Sequence, residues 1–280
     1  MRTLLDRVIT ARVTPFIILS VFSLLLLFPI LWSLTTSFKN LDEIYSWPPT
    51  LIPKEFSLSG YQFSILKASV PTYLLNSLIY SASVTLLVLV TATITIYGLT
   101  FYPYKGSDKV FLAFFLTRTI PPQALWIPAI VMLSQVGLLN SRLSVILFGV
   151  ILVYPLAVWM FKGIFDSFPR EVIDSATIDG CSRLGALVRV VIPICAPAVA
   201  AVAIVSFLWN WNDFMFPYLV LNDKALYPIT VGVFTLLGDE MAMWNALAAT
   251  QMLAVAPGLV FFVIAQKYIT KGLVSGAVKG

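Results

Sequence analysis

Histidine is absent from this 280-residue chain. Without an imidazole there is no HExxH zinc site and no serine–histidine or cysteine–histidine nucleophilic pair. Charge is scarce: 11% of residues are Asp, Glu, Lys or Arg, against about 25% in an ordinary soluble domain. The two cysteines, Cys181 and Cys195, have neither CxxC nor metal-ligand spacing. Reduced thiols are therefore expected, and a structural disulfide is not. No G-x-x-x-x-G-K-[ST] stretch occurs, so the chain has no P-loop to cradle ATP. Low-complexity tracts and repeats of fixed period are missing too.

What is there is apolar. Hydrophobic residues make up 59% of the chain, and the mean hydropathy is +0.93. A bilayer core needs about 20 mostly apolar residues per helix. Stretches of that kind fall at about 14–37, 71–99, 110–136, 143–161, 196–221 and 244–266. The first follows Arg2, Arg7 and Arg12, as a signal peptide would, but its apolar run is too long for one and no A-x-A cleavage site follows. The reading is an all-α polytopic membrane protein with six transmembrane helices, one domain over 1–280.

Lysine and arginine orient it. With the N-terminus cytoplasmic, the inside carries Arg2, Arg7, Arg12, Lys105, Lys109, Lys162, Arg170, Arg183, Arg189, Lys267, Lys271 and Lys279, and the outside only Lys39, Lys54, Lys67, Arg142 and Lys224. Both termini are then expected in the cytoplasm. The 38–70 loop, with its "WPPTLIP", and the 222–243 loop are expected outside. The latter holds apolar and aromatic residues such as Leu226, Tyr227 and Phe234 and a single lysine.

One polar stretch interrupts the second half: "EVIDSATIDGCSRLGALVRVVIP", 171–193. Asp166 or Ser167 can cap a helix, Pro169 suits its first turn, and Glu171 suits the positive end of its dipole. Gly180 is the natural stop. Ile173, Ala176 and Gly180 share a face, small at two of its three positions, that another chain can approach. Leu184, Leu187, Val188, Val191 and Ile192 then recur at helical spacing up to Pro193. By these residues alone the stretch is either a solvated hairpin linking two spans or a docking element.

Its spacing resembles the EAA loop of permease subunits in binding-protein-dependent ABC importers: EAA, three residues, glycine, nine residues, then I-x-L-P. Here Asp174-Ser175-Ala176 precedes Thr177-Ile178-Asp179 and Gly180, and Val190-Val191-Ile192-Pro193 stands nine residues on. Asp for Glu, Ser for Ala, Val for Ile and Ile for Leu are the departures. "NSLIYSASVTLLV" at 76–88, "WNDF" at 211–214 with Pro217, and the tail "GLVSGAVKG" at 272–280 resemble the carbohydrate branch of that family. The resemblance implies a multi-pass permease in the inner or plasma membrane of a prokaryote. Such a subunit moves a di- or oligosaccharide by alternating access and is not itself an enzyme. It pairs with a second permease, receives sugar from an extracytoplasmic binding protein, and sits on two ATP-binding cassette subunits. Those subunits hold ATP and Mg, and this chain needs no cofactor or metal. Glu171, Asp174, Ser175, Ala176, Asp179, Gly180 and Pro193, within a loop at 166–193, would couple it to the ATPase.

A sugar pathway needs aromatic faces, amides and hydroxyls, and intramembrane polar residues are costly enough to be functional candidates. Asn76, Arg118, Gln123, Trp209, Asn210, Asn212, Trp244, Asn245 and Gln251 qualify. Interhelical hydrogen bonding and interfacial anchoring are the alternatives for each. Arg118 either snorkels or faces the pathway, and Pro121-Pro122 just beyond it should break or kink the third span. The competing function is secondary transport. That usually needs a mid-span acid or histidine, and Asp213, Asp239 and Glu240 fall at or beyond span ends. An intramembrane protease is disfavoured by the missing histidine and by the lack of a mid-span aspartate pair.

Overall fold

A backbone in lipid must satisfy every N–H and C=O within its own segment, so apolar runs of this length fold as helices. The computed structural model describes residues 2–237 and 243–277, with side chains placed over 15–237, 243–261 and at 263. Among these residues every regular element is helical. Asp239, Glu240, Lys279 and the end of the 272–280 tail lie outside the described residues. The chain forms two compact units, Met1–Val70 with Val233–Val255, and Pro71–Gly232 with Ala256–Gly280.

The first unit opens with α1 (Arg2–Thr36). Its uncharged part, Pro15–Thr36, has 22 residues. At about 1.5 Å per residue it reaches across a bilayer core of ~30 Å. That stretch is exposed along most of its length, including Phe16, Leu19, Leu24, Leu25 and Phe28, as a helix surrounded by lipid or by a partner would be. After α2 (Leu41–Ile44) and α3 (Ser59–Leu66), the unit is closed by the helix that starts at Trp244. Gly60 and Ser64 form a small-xxx-small face there. A Cβ on Gly60 would stand 2.6 Å from the Asn245 carbonyl oxygen. The Ser64 hydroxyl donates to the Ala246 carbonyl at 3.1 Å.

The second unit is built on α4 (Val70–Phe101) and α7 (Arg142–Asp166), with α5 (Ser107–Thr117) and α6 (Pro122–Gln135) between them in sequence. Val84, Val88, Ala92 and Ile96 recur every four residues on α4 and pack with Val153, Ala157, Val158, Phe161 and Phe165 of α7. Tyr80 meets Val145 and Phe148 at one end, and Phe101 meets Phe165 at the other, centroids 5.9 Å apart. The two helices therefore run in the same direction. Beyond α7 come α8 (Arg170–Ile178), α9 (Arg183–Ala186), a π-helical turn at Leu187–Val191 and α10 (Ile192–Ile194). Then α11 (Ala196–Trp211) returns in the opposite direction to α12 (Met215–Val220). A 3₁₀ turn (Lys224–Leu226), α13 (Ile229–Thr235) and α14 (Trp244–Ala277) follow.

Among the described residues four helices are long and apolar enough to cross a membrane singly, or up to six if each of two bent pairs counts as one span. The expected third span, 110–136, is one of these pairs: α5 and α6 meet at 98°. Pro121 and Pro122 account for the break, since neither can donate to the helical ladder. The expected fifth span, 196–221, stops as a helix at Trp211. Asn210 and Asn212 turn their amides back to the carbonyls of Ser206 (2.9 Å) and Leu208 (2.7 Å), a local competition that favours helix ends. The caps also differ from expectation. Ser141 caps α7, accepting from the Ser144 N–H at 3.3 Å. Asp166 pairs with Lys162 instead of capping α8, and Pro169 stands one position before its first turn.

Candidate functional site: a helical hairpin on the transmembrane core

The polar stretch forms two short helical arms joined at Gly180. Helix α8 ends in a Schellman motif: the Cys181 N–H donates to the Ala176 carbonyl at 3.0 Å, and the Gly180 N–H to that of Thr177 at 3.1 Å. Gly180 has φ +89°, where a side chain is strained. Ser182 opens the second arm by accepting from the Gly185 N–H at 3.1 Å. The connection is thus defined by its own hydrogen bonds.

Both arms are fastened to the ends of α4 and α7. Ile173, Ala176, Ala186, Leu187 and Val191 are buried with Phe101, Phe161 and Phe165. The Arg170 guanidinium donates to the Phe101 carbonyl at 3.1 Å. Tyr97 donates its hydroxyl to the Arg183 carbonyl at 3.0 Å, and the Arg183 guanidinium lies 4.4 Å from the Tyr102 ring centroid. Sequence reading missed these four fastening residues, because their partners are 69 and 86 positions away.

This packing corrects two expectations. Ala176, expected on a face open to a partner, is only 7% exposed and belongs to the chain's own core. The second arm runs as one helical segment, Arg183–Ile194, but not as a regular α-helix. The π turn at Leu187–Val191 adds a residue to one turn and rotates the apolar stripe. Leu187 and Val191 face inward while Leu184 and Val188 stay exposed. What the hairpin offers outward is Glu171, Asp174, Ser175, Asp179, Gly180 and Pro193, with Ile178, Leu184 and Val188 as an apolar edge. Ile178 is 85% exposed. A Cβ on Gly180 would meet nothing within 4 Å.

The polar residues proposed for a pathway separate by role. Arg118 lies 5.7 Å from the Trp209 ring centroid. Trp209 in turn lines an open groove with Val205, Leu208, Asn212 and Asp213. Gln123, second residue of α6, is exposed. Asn210 is a packing residue, its amide oxygen against Gly149, where a Cβ would stand 2.4 Å away. Asn76 holds the segment after α12: its amide donates to the carbonyls of Ala225 (2.8 Å) and Tyr227 (3.1 Å), and its oxygen accepts from Arg142 at 3.2 Å. That segment packs Leu226 and Tyr227, both partly buried, against the core and leaves Phe234 exposed.

Trp244, Asn245 and Gln251 belong to the other unit. Asn245 is 1% exposed and fully engaged. Its amide donates to the Lys39 carbonyl (3.3 Å) and the Ser59 hydroxyl (3.1 Å), and its oxygen accepts from the Ala246 N–H (2.9 Å). These bonds give it a structural role at the junction of three segments. Gln251 accepts from the Ser33 hydroxyl at 3.0 Å, tying α14 to α1.

Comparisons with known proteins bear on this arrangement. The family model described as "Binding-protein-dependent transport system inner membrane component" matches residues 98–275. The arabinooligosaccharides transport system permease protein AraQ of Bacillus subtilis is 31% identical, covering 92% of each chain. The diacetylchitobiose uptake system permease protein DasC of Streptomyces coelicolor is 29% identical over 99% of this chain and all of that one. The sulfoquinovosyl glycerol transport system permease protein SmoH of Agrobacterium fabrum is 30% identical over 91% and 89%. In structure the chain is similar to a bacterial ABC transporter involved in the import of the acidic polysaccharide alginate. The TM-score is 0.82 at 19% identity, covering 94% of this chain and 97% of that one, and shows the shared fold. With apolar helices built for a membrane, the chain is a multi-pass transport protein, and it belongs to the binding-protein-dependent transport system inner membrane component family of ABC importer permeases.

Proposed function

We propose that this chain is one permease subunit of an ATP-driven importer that carries a di- or oligosaccharide by alternating access. The whole of 1–280 acts as a single transmembrane domain of six spans, both bent pairs counted. Its termini and the 166–193 hairpin face the cytoplasm of a prokaryotic cell. A second permease completes the pathway, an extracytoplasmic binding protein delivers the sugar, and two ATP-binding cassette subunits bind ATP and Mg and hydrolyse it. The sugar specificities named for the relatives support the substrate class. The common direction of α4 and α7, with α11 opposed, supports the span order.

The observation that carries this reading is the hairpin. Its inner face is fixed to the core, while its outer face presents acids at 171, 174 and 179 beside an apolar edge at 178, 184 and 188. Such a surface suits a cleft in an ATPase. A push on it is passed through Arg170 and Arg183 to the end of α4 and through Ile173 to α7. Of the pathway candidates, Arg118, Gln123, Trp209 and Asn212 are the ones this reading favours, while Trp244 lines a separate cleft.

Gly180→Trp and Asp174→Lys test the coupling role. Within this chain a Cβ at 180 meets nothing within 4 Å, and the backbone strain of a side chain there is about 1–2 kcal/mol. Membrane insertion should therefore continue, while co-purification of the ATPase subunit falls. Gly180→Asn, which tolerates a positive φ, should retain it. Normal sugar uptake and normal ATPase recovery in both test variants would sink the coupling role.

A further inference from the structure

At the end of α1 a cleft of about 130 Å³ is built entirely within the first unit. Trp32, Thr36, Lys39, Glu43, Thr50 and Trp244 line it. Lys39 is 3% exposed, unusual for a lysine, which is almost never fully buried unless paired. Among the described residues it has no carboxylate within ion-pair distance. Its ammonium donates to the Thr50 carbonyl and lies 5.1 Å from the Trp32 ring centroid. An ammonium carries three donors, so a buried one with a single acceptor has capacity to spare. Glu43, on the same cleft, accepts from the Thr50 hydroxyl at 2.6 Å and the Lys54 N–H at 3.0 Å. The cleft thus sets a donor and an acceptor of opposite charge around one space, between two half-exposed indoles.

We infer that this cleft is a saccharide subsite, holding one ring of the sugar at the outer mouth of the importer. The inference rests on the function proposed above and adds a place of contact to it. Several features select the ligand class. One charge of each sign lines the cleft, so neither a cation nor an anion is favoured. Two indole faces suit the apolar faces of a pyranose or furanose, and the Lys39 donors and Thr36 hydroxyl suit its OH groups. The size fits a part and not a whole: ligand pockets run about 300–1,000 Å³, so this one takes a terminal ring of a longer chain. Trp32 and Trp244 also stand at the ends of their apolar helices, where an interfacial anchor would lie. A zwitterionic lipid headgroup is accordingly the rival that the experiment must separate.

The test uses the assembled importer in nanodiscs, without its binding protein, and saturation-transfer NMR. The probes are arabinotriose, diacetylchitobiose, raffinose and melibiose. The expected result is transfer to at least one of the four, weakened about tenfold or more in Lys39→Met and Trp32→Ala, as loss of a charge-assisted bond implies. Glu43→Gln and Trp244→Ala serve as second variants should either of those fail to assemble. No transfer to any of the four, or equal transfer in wild type and assembled variants, overturns the subsite. Phosphatidylethanolamine that co-purifies with the wild type and is lost in Lys39→Met, without a change in sugar signal, overturns it in favour of a headgroup site. ATP-dependent sugar uptake by the wild-type importer stands apart: its absence would defeat the functional reading, while its presence with unaltered variants would defeat the subsite alone.

Discussion

Asn245 illustrates how an intramembrane amide is spent. Its three hydrogen bonds join the segment just after α1, the start of α3 and the first turn of α14. Replacing it with alanine strands buried partners, at about 1–3 kcal/mol for each unsatisfied group. Asn245→Ala should therefore lower the melting temperature of the solubilised protein while leaving sugar uptake at permissive temperature unchanged. A selective loss of sugar affinity without loss of stability would place it on the pathway. Glu43 makes a second residue-scale case, on the loop outside the spans. The Thr50 hydroxyl, the Lys54 N–H and then the Lys39 charge hold its carboxyl below the ordinary 4.5. A carboxyl depressed in the folded state contributes stability above its unfolded value and loses it as pH falls through the folded one. Hydrogen-exchange protection of the 50–57 backbone should persist above pH 4.5 and decline below it. Thr50→Val should move that decline to higher pH, and an unmoved decline would show that the hydroxyl does not hold the charge.

At the scale of elements, the break between α5 and α6 is the most specific departure from a regular span. Two prolines in succession leave ladder carbonyls without donors, and the chain turns through 98°. Spin labels at Leu112 and Val131, both exposed, would be ~29 Å apart along a straight helix at 1.5 Å per residue. The wild type should give a distance well short of that, and Pro121→Ala with Pro122→Ala should lengthen it towards the straight value. No difference between the two would place the cause of the bend outside the proline pair. The π turn in the hairpin is a second such feature. By inserting one residue it lets Leu187 and Val191 reach the core while Leu184 and Val188 remain available outside.

For the molecule as a whole, the charge asymmetry and the parallel course of α4 and α7 make one joint statement about sidedness. In a chain with Cys181 and Cys195 replaced by serine, a cysteine at Lys224 should react with an impermeant maleimide in intact cells. One at Ser175 should react only after permeabilisation. Both positions are exposed in the fold, so the reversed pattern would invert the topology. Sugar uptake should fail on ATP depletion and survive an uncoupler, which separates this importer from an ion-driven carrier.

Hydropathy is a sum over neighbours in the chain, and so the sequence by itself determined where the apolar helices fall, that the prolines at 121 and 122 break one of them, and that Gly180 ends the first arm of the hairpin. The loop spacing around Asp174 and Gly180 was legible for the same reason, being a matter of local register. Partner choice is not local. That Asn245 reaches the Lys39 carbonyl depends on a contact across 206 positions, and the burial of Lys39 on the Thr50 carbonyl that accepts from it. The inward turn of Ala176 was likewise set by Phe101 and Phe165 from two other helices. Only the tertiary structure decided these points, because a side chain's exposure belongs to its neighbours in space.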